Sequence, residues 1–249
     1  MKISAPNLPK GRVSLAVVGE EYPEIIADLA KMDIEVISVS AAEDFAKYER
    51  SHPDLRLHHL GGKDVMIYRE DTELCKALSS KGFSVVFAER KRQKTYPYCA
   101  GLNALRIGDI LLCNEKAIDP ALKKEAENRG LELVFCKQGY SRCATCLVNE
   151  KAVITSDPSV YSALKDKIDV LKIKAGHIRL ADTYDGMIGG CSAMMGETLL
   201  AFCGDIEKHP DFNIIKNFLL KHSVKYVCLN KNELIDVGTI IGLEIGKYS

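Results

Sequence analysis

The sequence carries no excess charge: 34 Lys and Arg balance 34 Asp and Glu across 249 residues, for a formal net charge of zero. Without a global field there is nothing long-ranged to gather nucleic acid or an anionic membrane, so any partner must be recognised at a local site. Long apolar runs are missing as well. Stretches such as Ser84 to Ala88 fall far short of the roughly 20 residues that span a bilayer. The start, Met1-Lys2-Ile3-Ser4-Ala5-Pro6-Asn7, lacks the apolar core of a signal peptide, which predicts a soluble, cytoplasmic protein. Gly61-Gly62 and Gly189-Gly190 stand outside any phosphate-cradling glycine motif, so no nucleotide and no other cofactor is expected. The single Cys-x-x-Cys, Cys143-Ala144-Thr145-Cys146, has no second pair. Strand residues three apart point to opposite faces, so no shared metal is expected there. What is present is a core: 47% of residues are hydrophobic, which excludes disorder as the main state. Nine cysteines read mostly as small buried hydrophobes kept reduced in a cytosol.

Helix starts are well marked, because proline suits the first helical position and a preceding Asp caps free N–H groups. Pro23 opens a helix to Ala30, Asp119-Pro120 one to Arg129, Asp157-Pro158 one to Lys165, and His209-Pro210 one to His222. A fifth runs from Thr72 to Lys81 and stops at Gly82. Strands are predicted before the helices at 13–18, 64–68, 109–113, 152–155 and 198–202, and after them at 34–39, 83–87, 131–135, 168–173 and 224–229.

The stretches between these units repeat. His52, Tyr96, Tyr140 and Tyr184 fall 44 residues apart, in Ser51-His52-Pro53-Asp54-Leu55, Thr95-Tyr96-Pro97, Gly139-Tyr140-Ser141 and Thr183-Tyr184-Asp185. A fifth copy, Glu233 to Gly238, lacks the ring. One such unit is too small to bury its own apolar face, so the units share a core. The run Gly238 to Glu244 has no strand after it, and the first unit has no strand before it. The last strand is expected to pair with the first and abolish an edge. The expectation is one α/β domain over 1–249, five quasi-repeats around a pseudo-fivefold axis.

With these elements the chain resembles the pentein, or α/β-propeller, fold of guanidino-group-modifying enzymes. Gln138 to Cys143, Ile154-Thr155-Ser156-Asp157, Gly176 to Leu180 and Gly186 to Cys191 are similar to a bacterial branch of that fold for which the resemblance implies a fold and no activity. In the catalytic members a cysteine in the final strand attacks the guanidinium carbon and a histidine in the fourth repeat moves protons. Here the final strand, Asp236 to Leu243, has no cysteine, and the fourth connector offers Tyr184 and Asp185 instead of histidine.

Acids remain at the strand starts. Asp54, Asp185 and Asp236, with His52 and Tyr184, are expected to converge on the axis and bind a small cationic ligand, guanidino- or amine-like. Carboxylates gathered in a partly dry pocket need a cation or a proton between them. The competing reading gives each Asp to a turn or an arginine such as Arg56, Arg142 or Arg179. Cys143 and Cys191 are candidate relocated nucleophiles, with His52 or His177 as base; the alternative is that both thiols simply pack. Asp54, Arg56 and His58 read as the solvated face of a strand, with Leu55 and Leu57 on the other. The run Arg90-Lys91-Arg92-Gln93-Lys94, with Tyr96 and Tyr98, leaves a second function open: a non-catalytic binder of ribosome, RNA or protein.

Overall fold

In a computed structural model that describes residues 1–181 and 184–246, the chain builds five three-stranded sheets. The first unit contributes β1 (Val13–Gly19), α1 (Pro23–Ala30) and β2 (Glu35–Val39). The second has β3 (Leu57–Gly61), β4 (Asp64–Ile67), α2 (Thr72–Ser80) and β5 (Ser84–Phe87). The third has β6 (Leu105–Ile107), β7 (Ile110–Cys113), α3 (Pro120–Asn128) and β8 (Glu132–Phe135). The fourth has β9 (Thr145–Asn149), β10 (Ala152–Thr155), α4 (Pro158–Leu164) and β11 (Asp169–Lys172). A small hairpin, β12 (Arg179–Ala181) and β13 (Tyr184–Asp185), follows. The last unit has β14 (Ser192–Gly196), β15 (Leu199–Phe202), α5 (Phe212–Lys221) and β16 (Lys225–Cys228), and β17 (Ile241–Ile245) ends the fold.

Each sheet has the same construction: an antiparallel pair, then a helix crossing to a parallel strand. A parallel pairing requires such a crossover, since no tight turn can reach the same end of the neighbour. Every crossover helix buries a pair four residues apart: Ile25 and Leu29, Leu74 and Leu78, Leu122 and Ala126, Val160 and Leu164, Ile215 and Leu219. That spacing is one face of a helix, laid against its sheet. The first strands face one another: β9 touches β6 and β14, and β14 touches β17. They line the axis of a five-unit α/β propeller, the fold expected from the sequence.

The ring closes as expected. β17 runs antiparallel to β1, with Ala16 opposite Gly242 and Val17 opposite Ile241. It replaces the first strand that the opening unit lacks.

Three details differ from the sequence reading. Asp119 and Asp157 do cap α3 and α4 through backbone N–H groups, but Pro210 does not open α5. A short 3-10 turn, Ile206–Lys208, precedes it, and the helix begins at Phe212. Asp54, Arg56 and His58 form no solvated face: all three are buried, and so is His59. The innermost strands have neighbours on both sides, and Arg56 is held there by an ion pair to Asp71. Finally, the 44-residue spacing drifts against the strands. His52 and Tyr140 each stand five residues before a first strand, whereas Tyr96 stands nine and Tyr184 eight before theirs. The connector of Tyr96, 88–104, is no longer than that of His52, 40–56, but carries its ring earlier, and the connector of Tyr184 contains the inserted hairpin. Thr183 lies outside the described residues.

Candidate active site at the ring axis

The residues just ahead of the first strands meet at the axis, which is why loops and not strand bodies supply the chemistry. Ahead of β3 stand His52 and Asp54, the latter in a 3-10 turn, Pro53–Leu55. Asn103 precedes β6, Arg142 and Cys143 precede β9, Gly190 precedes β14, and Asp236 and Thr239 precede β17. All of the side chains named are 4% exposed or less.

At the centre the Cys143 thiol donates to Asp54 Oδ2 at 2.8 Å. Asn103 Nδ2 donates to the same sulfur at 3.3 Å, while Asn103 Oδ1 accepts the Arg142 backbone N–H at 2.8 Å. The second Asp54 oxygen, Oδ1, has no partner. His52 Nε2 meets the Tyr22 hydroxyl at 2.8 Å. One donor atom from each of His52, Asp54 and Cys143 lies within 4.8 Å of the other two.

The second carboxylate is held by backbone. Asp236 Oδ2 accepts from Met187 N at 2.8 Å and Oδ1 from Gly238 N at 3.0 Å. Gly190 is required beneath it: a Cβ there would fall 1.9 Å from Asp236 Oδ1. Gly238, at φ +68°, lies flat against His52, where a Cβ would approach the His52 Cβ to 2.4 Å. The Arg142 guanidinium reaches across to Thr239 Oγ1 at 2.6 Å and to the carbonyls of Thr145 and Gly189 at 3.4 Å. Its charge favours the ionised form of Asp54.

Burial sets the protonation. It lifts the Asp54 carboxyl to about 7, against the pull of the Cys143 hydrogen bond. It lowers His52, which is neutral near pH 7. Burial and the charges of Asp54 and Asp236 raise the Cys143 thiol well above its ordinary value. The resting centre is therefore a neutral thiol, a neutral imidazole and a carboxyl poised to hold or release a proton.

A roof closes one side. Phe45 and Ala42, in the loop between β2 and β3, pack on Leu55, Cys99 and Tyr140. Tyr140 ties that loop down through Glu49 at 3.4 Å and meets Cys99 Sγ at 3.2 Å. The free space beside Asp54 and Arg142, on the side of His58 and His59, is about 10 Å³, the volume of about one water.

Not every residue expected at the axis is there. Tyr184 and Asp185 are exposed on the rim, because the inserted hairpin carries them outward. Tyr184 packs on Tyr48 with ring centroids 5.0 Å apart. His177 is exposed beside His209, and both share with Tyr184 and Asp185 a rim cleft of about 390 Å³. Cys191 is buried near the axis, but its thiol turns to the Ile188 carbonyl. Tyr22, Asn103 and Thr239 were not anticipated, and Arg142 was expected only as a partner for a nearby Asp; their common signal is position, just after or just before a strand that reaches the axis. The basic loop is partly engaged already: Arg90 bonds the carbonyls of Ala117 and Ile118, and Arg92 pairs with Asp44 and Asp71.

Comparison with known proteins agrees with this architecture. The inosamine-phosphate amidinotransferase of Streptomyces griseus superposes with a TM-score of 0.65 at 11% identity, covering 99% of this chain and 97% of that one. A dimethylarginine dimethylaminohydrolase of Pseudomonas aeruginosa, solved with citrulline, gives 0.57 at 9%, covering 87% and 92%. An agmatine deiminase of C. jejuni gives 0.56 at 10%, covering 92% and 90%. These are pentein-fold enzymes, and the likeness establishes the fold. No curated protein matches the sequence. Residues 16–241 match a family of unknown function, DUF6873, and the chain belongs to that family.

Proposed function

We propose that the axial centre takes a small cationic ligand, guanidino- or amine-like, and that Cys143 is its nucleophilic thiol in place of the cysteine absent from β17. The observation that carries this reading is the buried contact of Cys143 Sγ with Asp54 Oδ2 at 2.8 Å, beside His52 and Asp236. A guanidinium placed against Asp54 and Asp236 relieves the repulsion between them. It also stabilises the thiolate, which an isolated pair of acids suppresses. The thiol proton passes to Asp54 or His52, and the sulfur adds to the electron-poor carbon of the ligand. Amidinotransferase and agmatine deiminase among the structural relatives support this ligand class. The ligand enters when the loop carrying Phe45 lifts, since the closed centre has no room for it.

The test uses a cationic alkylating amidine, chloroacetamidine, beside its neutral counterpart chloroacetamide. Mass-spectrometric mapping is expected to find Cys143 modified faster by the cation, with arginine and agmatine protecting it and raising Tm in the manner of a bound ligand. Equal slow labelling by both reagents, together with flat melting curves across millimolar guanidines, would sink the reading.

A further inference from the structure

We propose that His52, Asp54 and Cys143 also form a site for a thiophilic divalent cation of the zinc class. Three donors of different kinds, an imidazole nitrogen, a carboxylate oxygen and a sulfur, lie within 4.8 Å of one another. Zinc bonds of about 2.0–2.3 Å at tetrahedral angles place donors roughly 3.3–3.8 Å apart. Bringing the three to those separations needs side-chain movements on the order of 1 Å, which rotation of the cysteine and carboxyl supplies. His52 and Asp54 share one connector, but Cys143 stands 89 residues from Asp54, so the full donor set has no local motif.

An independent observation asks for a cation there. Asp54 Oδ1 is buried without any partner, in a residue 2% exposed. A buried carboxyl oxygen left unpaired is destabilising, and a metal ion satisfies it directly. Charge also closes: a divalent cation with one thiolate and one carboxylate is neutral in total, which a dry centre tolerates. Binding breaks the S–H bond of Cys143, whose proton leaves to solvent, as does that of Asp54 where it is protonated, and a metal–sulfur bond forms.

The surroundings orient the donors as an outer shell does. Asn103 donates to the sulfur, and Gly238 lies flat against His52. Tyr22, now on His52 Nε2, yields that lone pair. Thiolate with imidazole selects zinc over magnesium or calcium. Three protein ligands leave a fourth position open. The inference does not depend on the guanidino reading, but both use one sulfur, so the two ligands exclude each other.

Cobalt(II) is the probe, because a cysteine-bound cobalt ion shows a sulfur-to-metal charge-transfer band. Titrating the chelator-stripped protein is expected to give that band at one equivalent, displaced by zinc. Cys143→Ser is expected to abolish it and Asp54→Asn to weaken binding at least tenfold, while Cys191→Ser keeps it. Should Cys143→Ser fail to fold, proton release on zinc binding to the unmodified protein decides: at least one proton per metal supports the site and none overturns it. Absence of the band, or its persistence in folded Cys143→Ser, overturns the proposal. Neither result touches the guanidine panel, which is read without metal.

Discussion

Placing a carboxyl, imidazoles and a thiol in one dry centre ties stability to pH through opposing slopes. Asp54 titrates near 7 in the native state against 3.8 for the free side chain. Between those values the folded protein keeps a proton that the unfolded chain has lost, so the Asp54 contribution declines as pH rises through about 7. His58 and His59, pushed down by burial to about 4 from 6.5, act in reverse. Below 6.5 the unfolded chain gains protons that the native state refuses until about 4, so stability falls as the solution is acidified. Replacing Asp54 by Asn removes one slope and leaves the other. The stability of the variant relative to the parent is expected to rise between pH 5 and pH 8, by up to roughly 3 kcal/mol, since only about two pK units of the shift fall in that window at 1.36 kcal/mol each. Urea unfolding at the two pH values checks it; a constant difference refutes the assignment. At the same scale, Gly190→Ala forces a methyl onto the Asp236 carboxylate. It is expected to destabilise by about 1–3 kcal/mol or more, seen as a fall in urea midpoint, and to reduce alkylation of Cys143 by chloroacetamidine.

Among the elements, β17 and the Phe45 loop have the clearest separable duties. β17 covers one edge of β1, and six of the seven residues of β1 are buried, five of them in the run from Leu15 to Gly19. Deleting Ile241 to Ile245 bares that edge and its apolar row, and an uncovered strand of this kind recruits other chains. The truncated protein is expected to sediment as aggregates where the full chain stays monodisperse. The loop is held by less. Phe45→Ala takes away its largest anchor over Leu55 and Cys99, and faster modification of Cys143 by chloroacetamidine, together with a lower Tm from the lost buried ring, is the expected result. Unaltered labelling kinetics would show that the route to the thiol lies elsewhere.

For the whole molecule, five units, their helices and the closing strand were legible because each leaves a local mark: a proline, a capping Asp, a β-branched run. The axial centre was legible only in part. His52, Asp54 and Asp236 were marked by acids and a ring near strand starts. Asp185, in the same pattern, was carried to the rim by the β12–β13 insertion, whose effect on position has no local signature. Asn103 and Arg142 look like ordinary loop residues until the units are laid side by side. The pairing of Cys143 with Asp54 spans 89 residues, and only the closed ring specifies it. Among the described residues no helix is long and apolar enough to cross a membrane.

The seam between β1 and β17 also governs when the protein comes into being. Met1 donates its amino group to Ile245, 244 residues along the chain, and Lys2 is bridged to Glu244 beside it. During synthesis the opening strand, which ends at Gly19, waits until Ile241 is reached before its axial neighbour arrives, a delay that high contact order makes longer still. Asp236 and Thr239, immediately upstream of that neighbour, arrive at the same late moment. Completion of the barrier to aggregation and assembly of the polar centre are thus one event, so a nascent chain has neither until it has both.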